Sequence, residues 1–198
     1  PNKTPYLNTM ATKNRPGNAK LSNRKLFVML ATLFLLMTML VSCNSQKSTT
    51  QNTSDSAAVA KVLDNWHHYA ATTNFESYFD LMTAEAVFIG TDATEHWSKS
   101  EFHKYAQPHF AKGKAWKFTS LQRKISFSQD HQTAWFDELL DTQMKICRGS
   151  GVMQKENGQW KIAQYVLSMT VPNDVSADII KIKTPQEEAL LSKLISKD

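Results

Sequence analysis

Residues 144–170 read MKICRGSGVMQKENGQWKIAQYVLSMT. Asn157-Gly158 at the centre is a strong hairpin signal, because both central residues of a type I′ turn need positive φ. Apolar residues alternate on either side, which is the period of a strand. The reading is two long antiparallel strands, Met144–Gln154 and Gln159–Thr170. Trp160 and Ile162 share one face, and Gln164 and Ser168 fall on the same parity. These two would enter the core as polar groups and need partners there. Cys147 reads as a small buried hydrophobe on a strand.

The alternation extends upstream. Thr133–Leu140 is a third strand, entered by a turn at Asp130-His131. Trp116–Phe127 is a fourth, in which Trp116 and Phe118 have one parity and Leu121, Ile125 and Phe127 the other. A bulge near Thr119-Ser120 would reconcile the two halves.

Before residue 113 the period changes to that of helices. Val59, Val62, Leu63, Trp66, Tyr69 and Ala70 form one apolar stripe, with Ser54 or Asp55 as cap. Phe75, Tyr78, Phe79 and Met82 form a second, shorter one. Residues 86–90 are a short strand. Ser98-Lys-Ser-Glu101 is a capping box opening a third helix, with Phe102, Tyr105 and Ala106 inward. Pro108 should interrupt that helix or end it near Gln107. Three helices and four long strands make an α+β domain over 55–174, with a curved antiparallel sheet on the helices. In the tail, 175–198, Thr184-Pro185-Gln186-Glu187 is a second capping box and predicts a helix over 185–196. Its apolar edge, Leu190, Leu191, Leu194 and Ile195, packs on its own domain or on a partner.

The amino-terminal part has a different character. Arg24-Lys25 precede Leu26–Val41, sixteen residues without a charge, and then Ser42-Cys43. A basic segment, a short apolar run and a small residue before a processing point form a secretory signal over 1–42. The run is shorter than the roughly 20 residues a membrane span needs. Leu40–Cys43 resembles the box of bacterial lipoproteins, which implies acyl chains on Cys43 and an anchor at an extracytoplasmic membrane face of the cell envelope. Residues 43–54 would then be a polar, disordered tether. The chain's net charge of +5 shrinks on this reading. Six basic residues and no acidic one precede Cys43, leaving 17 basic and 18 acidic residues. No basic stripe remains for nucleic acid.

Several pieces in order carry a family resemblance. They are Phe88-Ile-Gly-Thr-Asp92-x-x-Glu95-x-Trp97, Ala134-Trp-Phe136, Arg148-Gly-Ser-Gly-Val152 and Gly158-Gln-Trp160 through Ser168. Over about 57–172 the chain resembles the SnoaL-like branch of the nuclear transport factor 2-like superfamily. That implies a cone: a bent sheet wraps three helices and leaves an apolar pocket at the open end. Homodimers across the sheets are common in the superfamily. Its members include isomerases, cyclases, dehydratases and non-catalytic binding domains, so fold does not fix function.

The resemblance places Phe88, Asp92, Glu95, Trp97, Trp135, Gln164 and Ser168 at the pocket. A family-type proton transfer needs a desolvated base and a donor for the developing oxyanion. Asp137, on the strand face of Trp135, is the candidate base, and Tyr78 the candidate donor. The parity Trp135-Asp137-Leu139 and the parity Phe136-Glu138-Leu140 are equally mixed, so which faces inward stays open. Where many relatives carry His this chain has Val166. No cofactor is implied. No metal is expected either: His67 and His68 diverge by about 100° on a helix, and His96, His103, His109 and His131 lack zinc-like spacing. The expected function is binding of a small apolar or amphipathic molecule without catalysis. The alternatives are a cofactor-free isomerase, cyclase or dehydratase, and a structural partner in an envelope complex.

Overall fold

The structure, a computed structural model, describes residues 23–196; in the first helix the side chains at 23–26, 29 and 32–50 are outside the described set. Most of the side chains of the expected signal over 1–42, and that of Cys43, therefore lie outside the described set. The chain divides into two compact units, Pro1–Thr49 and Thr50–Asp198, and the second holds the fold that follows.

Helix α1 spans Asn23–Ala71. It runs through 44–54, where a disordered tether was expected. The physical reason is that no Gly or Pro occurs from 23 to 71, and Ser, Thr, Asn and Gln lower helix propensity without breaking the helix. Asp55 is thus inside α1, not its cap. Its carboxylate accepts from His131 Nδ1 (3.0 Å), Lys155 Nζ (2.8 Å) and Trp160 Nε1 (3.3 Å). The helix buries Val59, Leu63, Trp66 and Ala70, the expected stripe.

The other helices are α2 (Phe75–Asp80) and α3 (Lys99–Ala111). The Ser98–Glu101 capping box opens α3 as read. Pro108 does not end it. Proline lacks the N–H of its own position and crowds the carbonyl four residues back, but the residues after it still close the last turn: Lys112 N donates to Pro108 O (3.3 Å) and Gly113 N to Phe110 O (2.9 Å).

Strands β1 (Met82–Ile89), β2 (His96–Ser98), β3 (Thr119–Phe127), β4 (Thr133–Thr142), β5 (Lys145–Glu156) and β6 (Gln159–Met169) form one sheet in the order β2-β1-β6-β5-β4-β3. The α+β class and the four long antiparallel strands stand, but the sheet is mixed, because β1 pairs with β6 in parallel. The Asn157-Gly158 turn has φ of 51° and 80°, the left-handed geometry a type I′ turn demands. The β3 register shifts between Ser120 and Gln122, close to the expected bulge.

The final helix, α4, spans Ser176–Ile195 and contains Pro185. It therefore starts well before the expected 185. Thr184 does not cap a helix start; its hydroxyl donates back to Ile180 O (2.6 Å) within a continuing helix. No residue of α4 is buried.

Candidate functional site

Strand β4 decides what the sheet presents to the helices. Ala134, Phe136, Glu138 and Leu140 are buried, and Trp135 is 51% exposed. The parity left open in the sequence resolves this way, so Asp137 sits half-buried on the outer face. The inward carboxylate is Glu138, 1% exposed.

A carboxylate in a core survives only with donors around it. Glu138 has three. Its Oε1 accepts from His67 Nε2 (2.7 Å) and from the Tyr165 hydroxyl (3.1 Å); its Oε2 accepts from Arg123 Nε (2.9 Å). Arg123 also reaches Asp64 Oδ1 (2.8 Å) and Ala60 O (3.2 Å) on α1. Burial pushes the Glu138 carboxyl up, but the hydrogen bonds and charges of His67 and Arg123 outweigh it and hold it below its ordinary value. Burial and the Glu138 charge push the Tyr165 phenol well up. Gly149 makes this contact possible: a Cβ there would run into Tyr165 Oη and lie 3.1 Å from Glu138 Cγ. Glycine in mid-strand marks such close approaches.

Tyr165 points inward because β6 changes phase. Val152 pairs with Gln164, but Met153 pairs with Ile162, so Ala163 is an extra residue on β6. Since side chains alternate with period two, one extra residue flips everything beyond it. Trp160 and Ile162 are buried as expected, then Tyr165 and Leu167. Gln164 and Ser168 are turned to the outer face, which corrects the parity expected from sequence. The register places Trp135 beside Val152 and then Gln164, Asp137 beside Ser150, and Arg148 beside Ser168. Four predicted site residues are thus gathered on one surface, the outer face of the sheet.

The other predicted residues lie at the end of the domain where β1, β2 and α3 meet. Phe88, Trp97 and Glu95 line a cleft of about 180 Å³ together with Phe102, Tyr105, Trp116, Phe118, Met144 and Leu167. Its rings are nearly parallel: Phe88 and Phe102 have centroids 3.9 Å apart at 8°, Trp97 and Tyr105 4.5 Å apart at 24°. Offset stacking of this kind is worth about 0.5–1.5 kcal/mol per pair beyond burial. Thr91, Glu95 and Gln143 are the polar groups of the lining besides Tyr105 and the Trp N–H groups. Asp92 caps the turn beside it, accepting from Thr94 N (2.8 Å) and Thr94 Oγ1 (2.5 Å). Those bonds hold the Asp92 carboxyl below its ordinary value.

Neither the Glu138 network nor Tyr78 lines this cleft. Tyr78 is fully buried and stacked on Trp66 at 4.7 Å. Burial pushes its phenol well up. Sequence reasoning missed Glu138, His67, Arg123 and Tyr165 as a set, and missed Phe102, Tyr105, Trp116 and Phe118 as lining. One signal was present for the first set. Gly149 and Gly151 share the parity of Cys147 and Met153, leaving room on the buried face for a ring from a neighbouring strand.

No curated protein matches the sequence. Solved structures share the fold at low identity. One is a nuclear transport factor 2-like protein of unknown function from Pseudomonas putida KT2440, with TM-score 0.52 and 11% identity, covering 62% of this chain and 92% of that one. A second is a candidate dehydratase of the same family from Streptomyces avermitilis, with TM-score 0.54 and 13% identity, covering 61% and 99%. A third is a domain of unknown function with a cystatin-like fold from Nostoc punctiforme PCC 73102, with TM-score 0.54 and 14% identity, covering 73% and 96%. A family model described as a SnoaL-like domain matches residues 59–172, more than half of the 198 residues, and the chain belongs to the SnoaL-like family.

Proposed function

We propose that the domain binds a small, flat, apolar or amphipathic molecule in the aromatic cleft and releases it unchanged. It does so at an extracytoplasmic membrane face, held there by acyl chains on Cys43. The observation that carries the binding reading is the cleft itself, which six rings line. Ligand sites are concave and mostly apolar with a few polar groups. The non-catalytic part is supported by the two carboxylates of β4, neither of which lines the cleft that Glu95 lines. Glu138 is occupied by three donors, and Asp137, the base the sequence favoured, is on the outer face of the sheet. A general base must reach the proton it removes.

The test is calorimetric titration of the full chain with 1-methylnaphthalene as probe, for wild type and Trp97→Ala. Saturable binding weakened about tenfold by loss of the ring is expected. The probe should be recovered unchanged by mass spectrometry. Absence of saturable binding, or equal binding to Trp97→Ala, would refute the reading.

We also propose that two copies pair through the outer sheet face. Trp135 and Ile146 are each about half exposed there, beside the half-buried Leu139, Val152 and Val166. Apolar surface of this kind favours burial in an assembly. Light scattering of the Trp135→Glu variant should report a monomer and wild type a dimer; a monomeric wild type would dispose of the pairing.

A further inference from the structure

The cleft carries one sign of charge. Among its lining residues only Glu95 bears a full charge; the rest are rings, apolar side chains, Gly90, Thr91 and Gln143. Lys117 is flanked in sequence by two lining residues, Trp116 and Phe118, yet it lines the neighbouring grooves and not the cleft. We infer that the cleft selects a planar aromatic cation, its ring continuing the stack of Trp97, Tyr105 and Phe102 and its positive charge set against Glu95. This inference rests on the binding reading above and gives its ligand a charge.

Glu95 is placed for this task by its own turn. Gly90 N donates to Glu95 O (2.9 Å) and Glu95 N to Asp92 O (3.0 Å), which closes the turn between β1 and β2. Asp92 N then donates to Glu95 Oε2 (3.2 Å), and among the described residues none donates to Oε1. Gly90 lets the carboxylate lie against the backbone, since a Cβ there would collide with Glu95 Oε2. The carboxylate is therefore held by one oxygen, with the other free for a ligand. Among the described residues it has no ion-pair partner, whereas Glu138 has two.

Ring walls favour the same charge. The face of an aromatic ring is negative, and a cation over it is attracted electrostatically. A neutral ring of equal size gains the stacking but not the charge interaction. An anion meets both the ring faces and Glu95 unfavourably.

Three probes of one shape separate these terms: N-methylquinolinium, 1-methylnaphthalene and 1-naphthoate, each titrated calorimetrically into the full chain. Wild type should bind the cation about tenfold more tightly than the neutral probe, and the anion weakest of the three. In Glu95→Gln, whose amide oxygen keeps an acceptor for Asp92 N, the preference for the cation should shrink to what the ring faces alone supply. Wild type itself supplies a control that needs no variant, because raising the salt concentration should shrink the preference. Equal affinities in wild type, or a preference undiminished by both Glu95→Gln and high salt, would overturn the inference while leaving the binding reading intact. Failure of every probe to bind would overturn the binding reading and the inference with it.

Discussion

Two glutamates of this chain sit within one small domain and live in opposite circumstances. Glu138 is in the middle of β4, 1% exposed, with His67, Tyr165 and Arg123 all donating to it. Glu95 is in a turn at the cleft, half-buried, with a single backbone N–H as partner. The buried carboxylate looks catalytic by its environment, since perturbed acids in cores often are. Yet its perturbation runs downward, toward a permanently charged, fully bonded group. That is what a structural ion cluster does. Such a cluster ties α1 to β3, β4 and β6, whereas the carboxylate at the mouth still has an oxygen to offer. The lesson is that unsatisfied bonding capacity marks the candidate ligand group better than burial does.

The largest effect should come from emptying the buried site. Glu138→Ala takes from Arg123 its buried carboxylate and leaves it Asp64 and Ala60 O, and removing one partner of a buried pair costs about 3–5 kcal/mol. Urea unfolding reads this directly. A loss below about 1 kcal/mol would mean the cluster behaves like a surface ion pair. The same contrast has a pH signature. The Glu138 carboxyl is held below its unfolded value, so the unfolded chain binds the proton more readily. Its stabilisation is present above the unfolded value, near pH 4.5, and is lost as pH falls through the folded one. Acid unfolding of Glu138→Gln should therefore show a flatter pH dependence than wild type in that range.

Next in size is the passage that lets Tyr165 reach Glu138. Gly149→Ala places a methyl group where Tyr165 Oη lies, and overpacking of this kind costs about 1–3 kcal/mol. Tyr165→Phe alone removes a hydrogen bond to a charged acceptor, worth about 1.5–3 kcal/mol. The double variant should cost less than the sum, because the atom that clashes is gone. Strict additivity in denaturant unfolding would show that the strand moves aside and that Gly149 has no such role.

Much of the fold was legible because its signals are local. The Ser98–Glu101 box, the Asn157-Gly158 turn and the stripe of Val59, Leu63 and Trp66 each specify their structure within a few residues. The site was less legible because it depends on phase. A single extra residue, Ala163, reverses every side chain of β6 beyond it, and nothing in Lys-Ile-Ala-Gln-Tyr announces the bulge. Strand β4 could have been read further. Over 133–142 the outer parity holds two aspartates, Asp137 and Asp141, while the inner one holds Ala134, Phe136, Leu140 and a single acid. Thr184-Pro185 misled for another reason: a capping box is an affordable start, but a helix already under way from Ser176 has no need of one.

The smallest expected effect concerns Asp137, and it is the sharpest test of that phase argument. Asp137 lies on the outer face, paired in register with Lys124 on β3 and Ser150 on β5. Asn keeps the shape of Asp, so within the protomer this substitution on the outer face changes stability by no more than about 0.5 kcal/mol. Asp137→Asn should therefore leave urea unfolding, acid unfolding and probe binding as in wild type, even though Glu138→Gln, one residue on, alters the acid transition. If Asp137→Asn altered the acid transition and Glu138→Gln did not, the phase of β4 would be inverted. The buried cluster and the assignment of Glu95 as the available carboxylate would then both have to be redrawn.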